Sequence, residues 1–377
     1  MSALLEQFSL GGDNAQSSTI VIKDSIDIAG YRTTGASRAL ANVAPARRHA
    51  EVVQRLLDRG WKIVGKANMH ELAFGMTGIN EYTGTPVNPQ DATRIPGGSS
   101  SGSAVAVGAR MADAALGTDT GGSIRGPAAC CGVIGLKPTF GRVSRVGAAP
   151  AQSTLDCVGP LAREMRVIIA AMSAISPAFD PGIAEGGAGV ARIGIVQAEA
   201  RPDILKAVEM AVRKADFASA YVDLPGLADA FSAGLSIINR ETSAAFGPLV
   251  ETGHLQPDLE ARLRAAAKTS DLDVENAERV RTRFTQAVNY ALATVDVLIM
   301  PTMPDFPITL EQARNGTSVI AMSSLIRPFN LSGHPALSLP VPVSGTTLKA
   351  GLQIVGRHGE DEWVCAVASR IEAALSV

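Results

Sequence analysis

The chain has 377 residues, 46% of them hydrophobic and 19% charged, enough for one large domain or two with a sizeable core. A net charge of −2 and an aromatic content of 4% offer neither the basic surface nor the stacking platforms that nucleic acid or an anionic membrane needs. No apolar run approaches the roughly 20 residues that span a bilayer, and MSALLEQFSLGGDN lacks the basic start and long apolar centre of a secretory signal, so the cytoplasm is the expected compartment.

Taken in order, Ser18 to Asp27 reads as a β-branched strand ending in a polar turn. Lys23 lies inside it: burial on both faces would force the amine inward, whereas an ordinary strand-end lysine snorkels to solvent. Ala46 to Arg59 spaces Ala50, Val53, Leu56 and Leu57 as one helical face, with Gly60 as its stop. Trp61 to Gly65 is a short strand, completing a βαβ-like unit that points to a mostly parallel sheet. His70-Glu71 resembles the start of a zinc-protease helix, but Phe74 stands where that motif needs histidine, so no metal is expected. Thr83 to Pro96 is a proline-rich ordered loop. Ala104 to Gly117 is a small-residue segment that packs closely between two glycine-serine turns. Residues 142–160 read as a loop holding Asp156, Leu161 to Ile175 as an amphipathic helix, and Ala178 to Gly189 as a linker. Arg192 to Val196 and Ala220 to Leu224 are strands around a helix at Pro202 to Ala215. Helices dominate to Thr294, the longest from Val274 to Ala293. Val295 to Pro301, Ala336 to Val341 and Gly351 to Val355 are strands, and Asp361 to Leu375 is a closing helix. Cys130, Cys131, Cys157 and Cys365 show no disulfide or metal spacing.

The chemistry sits in the two turns, Gly97-Gly98-Ser99-Ser100-Ser101-Gly102-Ser103 and Gly121-Gly122-Ser123. A phosphate cradle would need lysine where Ser103 stands. A serine-hydrolase elbow matches formally at Ser100, with His254, His334 or His358 as partner, but that motif follows a strand directly, and here a proline-containing loop precedes it. The third reading makes Ser123 the nucleophile and Lys23 its base, the amine being neutral once burial lowers its pKa. Ser99 stands between them, because one hydroxyl can donate and accept at once. The backbone around Asp119-Thr120-Gly121-Gly122-Ser123 would then turn its N–H groups toward one oxyanion.

These residues resemble the amidase signature family. The family's pattern appears as Ile22-Lys23-Asp24, Gly65-Lys66-Ala67-Asn68, the first glycine-serine turn, Asp119 through Pro127, and Gly135-Leu136-Lys137-Pro138-Thr139, with Ser99 and Ser123 separated by 24 positions. Late segments around Val295 to Thr302 and Asn330 to Ala336 also match, so the resemblance runs from about residue 19 to the C-terminus. It implies a Ser-cisSer-Lys triad of Ser123, Ser99 and Lys23. The oxyanion donors would be Thr120, Gly121, Gly122 and Ser123, supported by Asp119, Arg125, Ser100 and Ser101. It implies one α/β/α domain around a large mixed, mostly parallel sheet with helices on both faces: a signature core over 19–160, a more helical portion over 161–294, and returning strands with a closing helix over 295–377.

The expected activity is hydrolysis of a small-molecule amide to carboxylate and ammonia or amine, without cofactor, nucleic acid or membrane, with a homodimer as the assembly considered. Two alternatives are the A-type subunit of a glutamine-dependent amidotransferase, which works with partner chains on charged tRNA, and the Ser100 esterase. Family members usually carry helices ahead of the lysine strand, and only about 18 residues precede it here, which suggests a more open site or a chain whose missing part comes from elsewhere. The acyl pocket, expected from Leu72 to Gly75, Thr120, Ile320 to Phe329 and His334, is read as small or apolar with no placed cation, favouring an uncharged acyl group.

Overall fold

The computed structural model describes residues 3–12, 16–189 and 191–376. Eleven strands form one sheet: β1 Leu4–Leu10, β2 Thr19–Lys23, β3 Lys62–Ala67, β4 Ala114–Asp119, β5 Ile134–Lys137, β6 Cys157–Ala162, β7 Arg192–Val196, β8 Ala218–Val222, β9 Val297–Pro301, β10 Ala336–Pro342 and β11 Lys349–Val355. Their spatial order is β1-β3-β2-β4-β6-β5-β10-β11-β9-β7-β8. The helices are α1 Glu51–Asp58, α2 Ser101–Gly108, α3 Arg125–Cys131, α4 Met165–Ile175, α5 Pro181–Glu185, α6 Pro202–Lys214, α7 Leu227–Phe246, α8 Pro257–Ala266, α9 Asp271–Thr294, α10 Leu310–Arg314, α11 Pro328–Leu331 and α12 Asp361–Ser376.

Strand alternation divides the core. Ile20 and Ile22 of β2, with Ala114 and Leu116 of β4, join one hydrophobic cluster with α1, α4, α6 and α12. Val21 and Ala115 point the other way, into a cluster with α2 and α3. Side chains two apart share a face, so Lys23 follows Val21 toward the layer that carries both glycine-serine turns. A third cluster builds the remaining layer from α7, α8, α9 and α11. Local signals end the elements as their chemistry requires. Gly60 follows α1 with φ +76°, a left-handed stop that glycine takes without Cβ strain. Ser270 and Asp273 close a reciprocal capping box on α9.

The expected βαβ unit is present, since β2 runs parallel to both β3 and β4, and β7 runs parallel to β8 and β9. The sheet is mixed, but not mostly parallel: among the described residues six of ten pairings are antiparallel. The reason is local. β10 and β11 form a hairpin, and β6, read from sequence as loop and helix start, is a central strand pairing antiparallel with β4 and β5. Gly159 and Pro160 disguise β6 as loop. Gly159 is there for space, because a Cβ would lie 2.1 Å from the Leu136 carbonyl oxygen. Two further segments also differ from the reading. Leu4–Leu10 is an edge strand, and the expected linker holds α5, which packs on α12.

Candidate active site

The sheet brings the two turns together from opposite ends of a helix and a strand. Ser99 lies two residues before the start of α2, β4 ends at Asp119, and the chain then turns through Thr120 to Ile124 into α3. Gly117 lies under Ser100, where a Cβ would meet Ser100 Oγ at 2.8 Å. That close approach lets α2 sit directly on β4 and sets the first turn against the second, tied by the Ser100 N–H donating to the Ser123 carbonyl at 3.2 Å. The Gly98–Ser99 peptide bond is cis.

Lys23 is fully buried. Its Nζ donates to Ser99 Oγ at 2.8 Å and to Thr118 Oγ1 at 2.8 Å. Among the described residues no carboxylate pairs with it; Asp156 and Asp119 act only at longer range. Burial therefore lowers its pKa to about 7, against the opposing pull of those two acids. Lys66, on the neighbouring strand, makes the contrast. It is equally buried but pairs with Asp24 at 3.0 Å and also donates to Ile26 O and Thr33 Oγ1. Lys23 has hydroxyls where Lys66 has a carboxylate. Ser99 has no solvent exposure, whereas Ser123 keeps 6%, so of the two it is Ser123 that a substrate can reach. No hydrogen bond joins their hydroxyls among the described residues.

Asp119 fixes the second turn. It accepts from the N–H groups of Gly122 at 2.7 Å and Ile124 at 3.1 Å, and it takes a two-pronged grip from Arg125 at 3.0 and 2.9 Å. Those charged hydrogen bonds outweigh its complete burial and hold its carboxyl well below the usual carboxylate range. Arg125 spends its other N–H groups on Ile326 O, Gln353 Oε1 and Asn330 Oδ1. Asn330 in turn donates to Asp119 O and Oδ1. Thr120 Oγ1 donates to Asp156 Oδ1 at 2.9 Å, and Arg145 clamps the other oxygen at 3.0 Å. The Gly122 N–H is thus already engaged by Asp119, so it is not available to an oxyanion in this arrangement. The N–H groups of Thr120, Gly121 and Ser123 have no acceptor among the described residues.

Several expectations change at this point. Ser101 Oγ is buried without a hydrogen bond, and Ser100 Oγ only donates to Thr118 O at 3.2 Å. Ser100 is fully buried, and its suggested histidines are elsewhere: His334 bonds Ser332 and Asn289 and stacks on His358 at 3.8 Å. The elbow reading has no partner for its serine. The segment is not free of a placed cation, because Arg327, inside the stretch expected to line the site, lies against the turn: a Cβ on Gly121 would sit 3.5 Å from Arg327 Nε and 2.9 Å from Ile238 Cδ1. Asn330, Gln353, Asp156, Arg145 and Ile238 were not anticipated. The Asn330 segment was visible as a motif, but Gln353 and Ile238 had no local signal, since only the tertiary fold brings β11 and α7 to the turn. A hollow of about 780 Å³ bounded by Lys206, Met210, Pro342 and Leu375 includes none of these residues.

The chain matches the family described as Amidase over residues 19–181 and 191–365. It is 35% identical over 408 aligned positions to the A-type subunit of glutamyl-tRNA(Gln) amidotransferase from Deinococcus radiodurans, covering 95% of this chain and 84% of that protein. Its fold matches the same subunit from Thermotoga maritima with a TM-score of 0.82 at 30% identity, covering 98% and 87% of the two chains. A TM-score of 0.88 at 30% identity, with coverage of 94% and 83%, relates it to a structure from a vestigial protein complex tied to the origins of an s-triazine catabolic enzyme. These relatives correct the expectation of a homodimer with no link to nucleic acid. By name, the amidotransferase relatives are subunits of an enzyme that acts on glutamyl-tRNA(Gln). A net charge near zero describes one chain's surface, and one component need not carry the basic face of a whole assembly. Among the described residues no helix is long and apolar enough to cross a membrane.

Proposed function

The chain belongs to the amidase family, and on that premise we propose that it hydrolyses a carboxamide through an acyl ester on Ser123, serving as an amidotransferase A-type subunit with glutamine as nitrogen donor. Neutral Lys23 takes the proton of Ser99 while Ser99 takes that of Ser123. Ser123 Oγ bonds to the amide carbon, and the carbonyl oxygen becomes an oxyanion facing the free N–H groups of Thr120, Gly121 and Ser123. The C–N bond then breaks as the proton returns through Ser99 to the leaving nitrogen, which departs as ammonia. Water repeats the sequence on the ester, giving the carboxylate and restoring Ser123.

The single observation that carries the hydrolytic step is the 2.8 Å contact between an unpaired, buried amine and Ser99 Oγ. A base must be within hydrogen-bond reach and near its working pKa, and both conditions favour Lys23. The amidotransferase reading is favoured by the named relatives at 35% and 30% identity. Ammonia release from L-glutamine, with fluorophosphonate labelling mapped to Ser123 and both lost in Ser123→Ala, tests the chemistry. Adding the chain to a related amidotransferase assembly that lacks its A-type component tests the role. Restored conversion of glutamyl-tRNA(Gln) is expected, and hydrolysis without restoration would overturn the amidotransferase role while leaving the chemistry intact.

A further inference from the structure

Glu241 is an acid whose hydrogen bonds all go to one loop. It lies on α7, three residues beyond Ile238, the side chain that closes over Gly121 of the second turn. Its carboxylate accepts from two consecutive residues in the connection between β5 and β6. Ser153 Oγ donates to Oε2 at 2.7 Å, and the N–H and Oγ1 of Thr154 donate to Oε1 at 2.9 and 2.7 Å. Among the described residues it forms no ion pair and no other hydrogen bond. Arg281 of α9 reaches Thr154 Oγ1 from a second helix at 2.9 Å. A carboxylate that accepts three hydrogen bonds holds its donors more firmly than a neutral group would. Thr154 is itself exposed, so packing does not explain why the loop is gripped there.

The turn it grips ends at Asp156. Ser153 Oγ, while donating to Glu241, accepts from the N–H groups of Leu155 at 3.2 Å and Asp156 at 3.1 Å. That serine turn fixes the backbone up to Asp156, and β6 fixes it from Cys157 onward. The Asp156 carboxylate then accepts from Thr120 Oγ1 at 2.9 Å, and it is the stronger of the two acids that pull on Lys23, Asp119 being the other. Arg145 clamps Asp156, but it belongs to the same connection and also donates to Pro150 O, so it closes the loop on itself. The earlier half of the connection is tied to Ile26 and Glu51, and the stretch just before Asp156 is tied by Glu241 and Arg281. We propose that Glu241 is a positioning residue for the hydrolytic site, holding the turn that sets the Asp156 carboxylate against Thr120 and Lys23. This rests on the relay from Ser123 through Ser99 to Lys23, and it gives that relay an anchor in α7.

Glu241→Ala releases the turn. A retreat of about 2 Å by one of the two carboxylates that pull on the amine is worth about half a pH unit. The acid limb of kcat/KM for ammonia release from L-glutamine, set in the wild type near pH 7, should therefore move down by that amount. At pH 6 this is about threefold in rate relative to the plateau, and the plateau itself should fall as Thr120 loosens. Ser153→Ala, which cuts the link between Glu241 and Asp156, should move the limb likewise, and the double variant should move it no further. A merely structural glutamate would lower the plateau and leave the limb in place. An unmoved limb in Glu241→Ala, or shifts that add in the double variant, overturns the proposal. Should the Glu241→Ala protein fail to fold, Ser153→Ala alone decides it in the same way. The amine is also read without turnover. The stability of each protein against its own Lys23→Met form begins to change with pH at the folded lysine's pKa, and in urea unfolding that bend should move down with the limb. A wild type that releases no ammonia overturns the relay reading, while the bend still tests Glu241.

Discussion

Replacing Lys23 by methionine should stabilise the fold while abolishing turnover. The gap between the ordinary lysine value of 10.5 and about 7 in the folded chain corresponds to about 5 kcal/mol disfavouring the charged amine inside the protein. At neutral pH most of that cost is present, because the unfolded chain is protonated and the folded amine is half neutral. Methionine keeps an unbranched stem and removes the amine, but it also removes the hydrogen bonds to Ser99 and Thr118, worth about 1 kcal/mol each. The net expectation is a gain of about 2 kcal/mol at pH 7. The sign with pH follows from proton counts. Between about 7 and 10.5 the unfolded lysine binds a proton that the folded one does not, so the wild type gains stability as pH rises through that window. Its deficit against Lys23→Met therefore shrinks by about 1.4 kcal/mol per pH unit above 7. Urea unfolding of both proteins in parallel at pH 6, 7, 8 and 9 cancels every other titrating group. A methionine variant less stable than wild type at pH 7, or a difference unchanged between pH 7 and 9, would refute the reasoning. In the wild type, kcat/KM should rise tenfold per unit below about pH 7 and level off above it, since only the neutral amine accepts a proton.

Asp119→Asn should cost about 3–5 kcal/mol, because it leaves the Arg125 guanidinium buried with no counter-charge; thermal melts check the loss, and activity falls with it as the turn loosens. Gly122→Ala places a methyl 2.2 Å from Ile326 Cδ1 at φ +115°. Melts should show a loss of at least about 1 kcal/mol, and fluorophosphonate labelling should slow sharply; Ile326→Ala alongside it makes room without restoring the backbone, so rescue stays partial. Ser100→Ala loses only the bond to Thr118 O, about 1 kcal/mol, and labelling should persist at Ser123; its disappearance would revive the Ser100 elbow.

Most of the site was readable because its chemistry is written in contiguous segments. Lys23 ends an apolar strand, Ser99 lies in one glycine turn and Ser123 in another, and the sheet supplies the rest by period-two alternation. Asp119 was legible as a support for the same reason, four residues before Ser123. What escaped had no local mark. The Gly122 N–H is taken by Asp119 rather than left for an oxyanion, a fact of orientation that a run of glycines does not encode. β6 was hidden by Gly159 and Pro160, whose propensities belong to loops, although packing against Leu136 requires the glycine. Arg327 was overlooked within an apolar stretch because a lone cation there looks like an edge charge. Only the fold shows that it faces the turn.

Lys23 and Lys66 carry the argument about function furthest. They occupy neighbouring parallel strands, both fully or almost fully buried, and differ in their partners. Lys66 has Asp24 at 3.0 Å and two further acceptors, Ile26 O and Thr33 Oγ1. Lys23 has two hydroxyls and no carboxylate, so desolvation prevails and its pKa falls to about 7. Asp156 and Asp119 are near enough to stop the value falling further, yet each is occupied by its own arginine. Arginine neutralises the acids, and that neutralisation keeps the lysine from becoming one half of a permanent ion pair. Arg145→Ala tests this step. Freeing Asp156 strengthens its pull on Lys23, so the acid limb of the kcat/KM profile should move to higher pH. An unmoved limb would show that the base is not Lys23 or that Asp156 does not act on it.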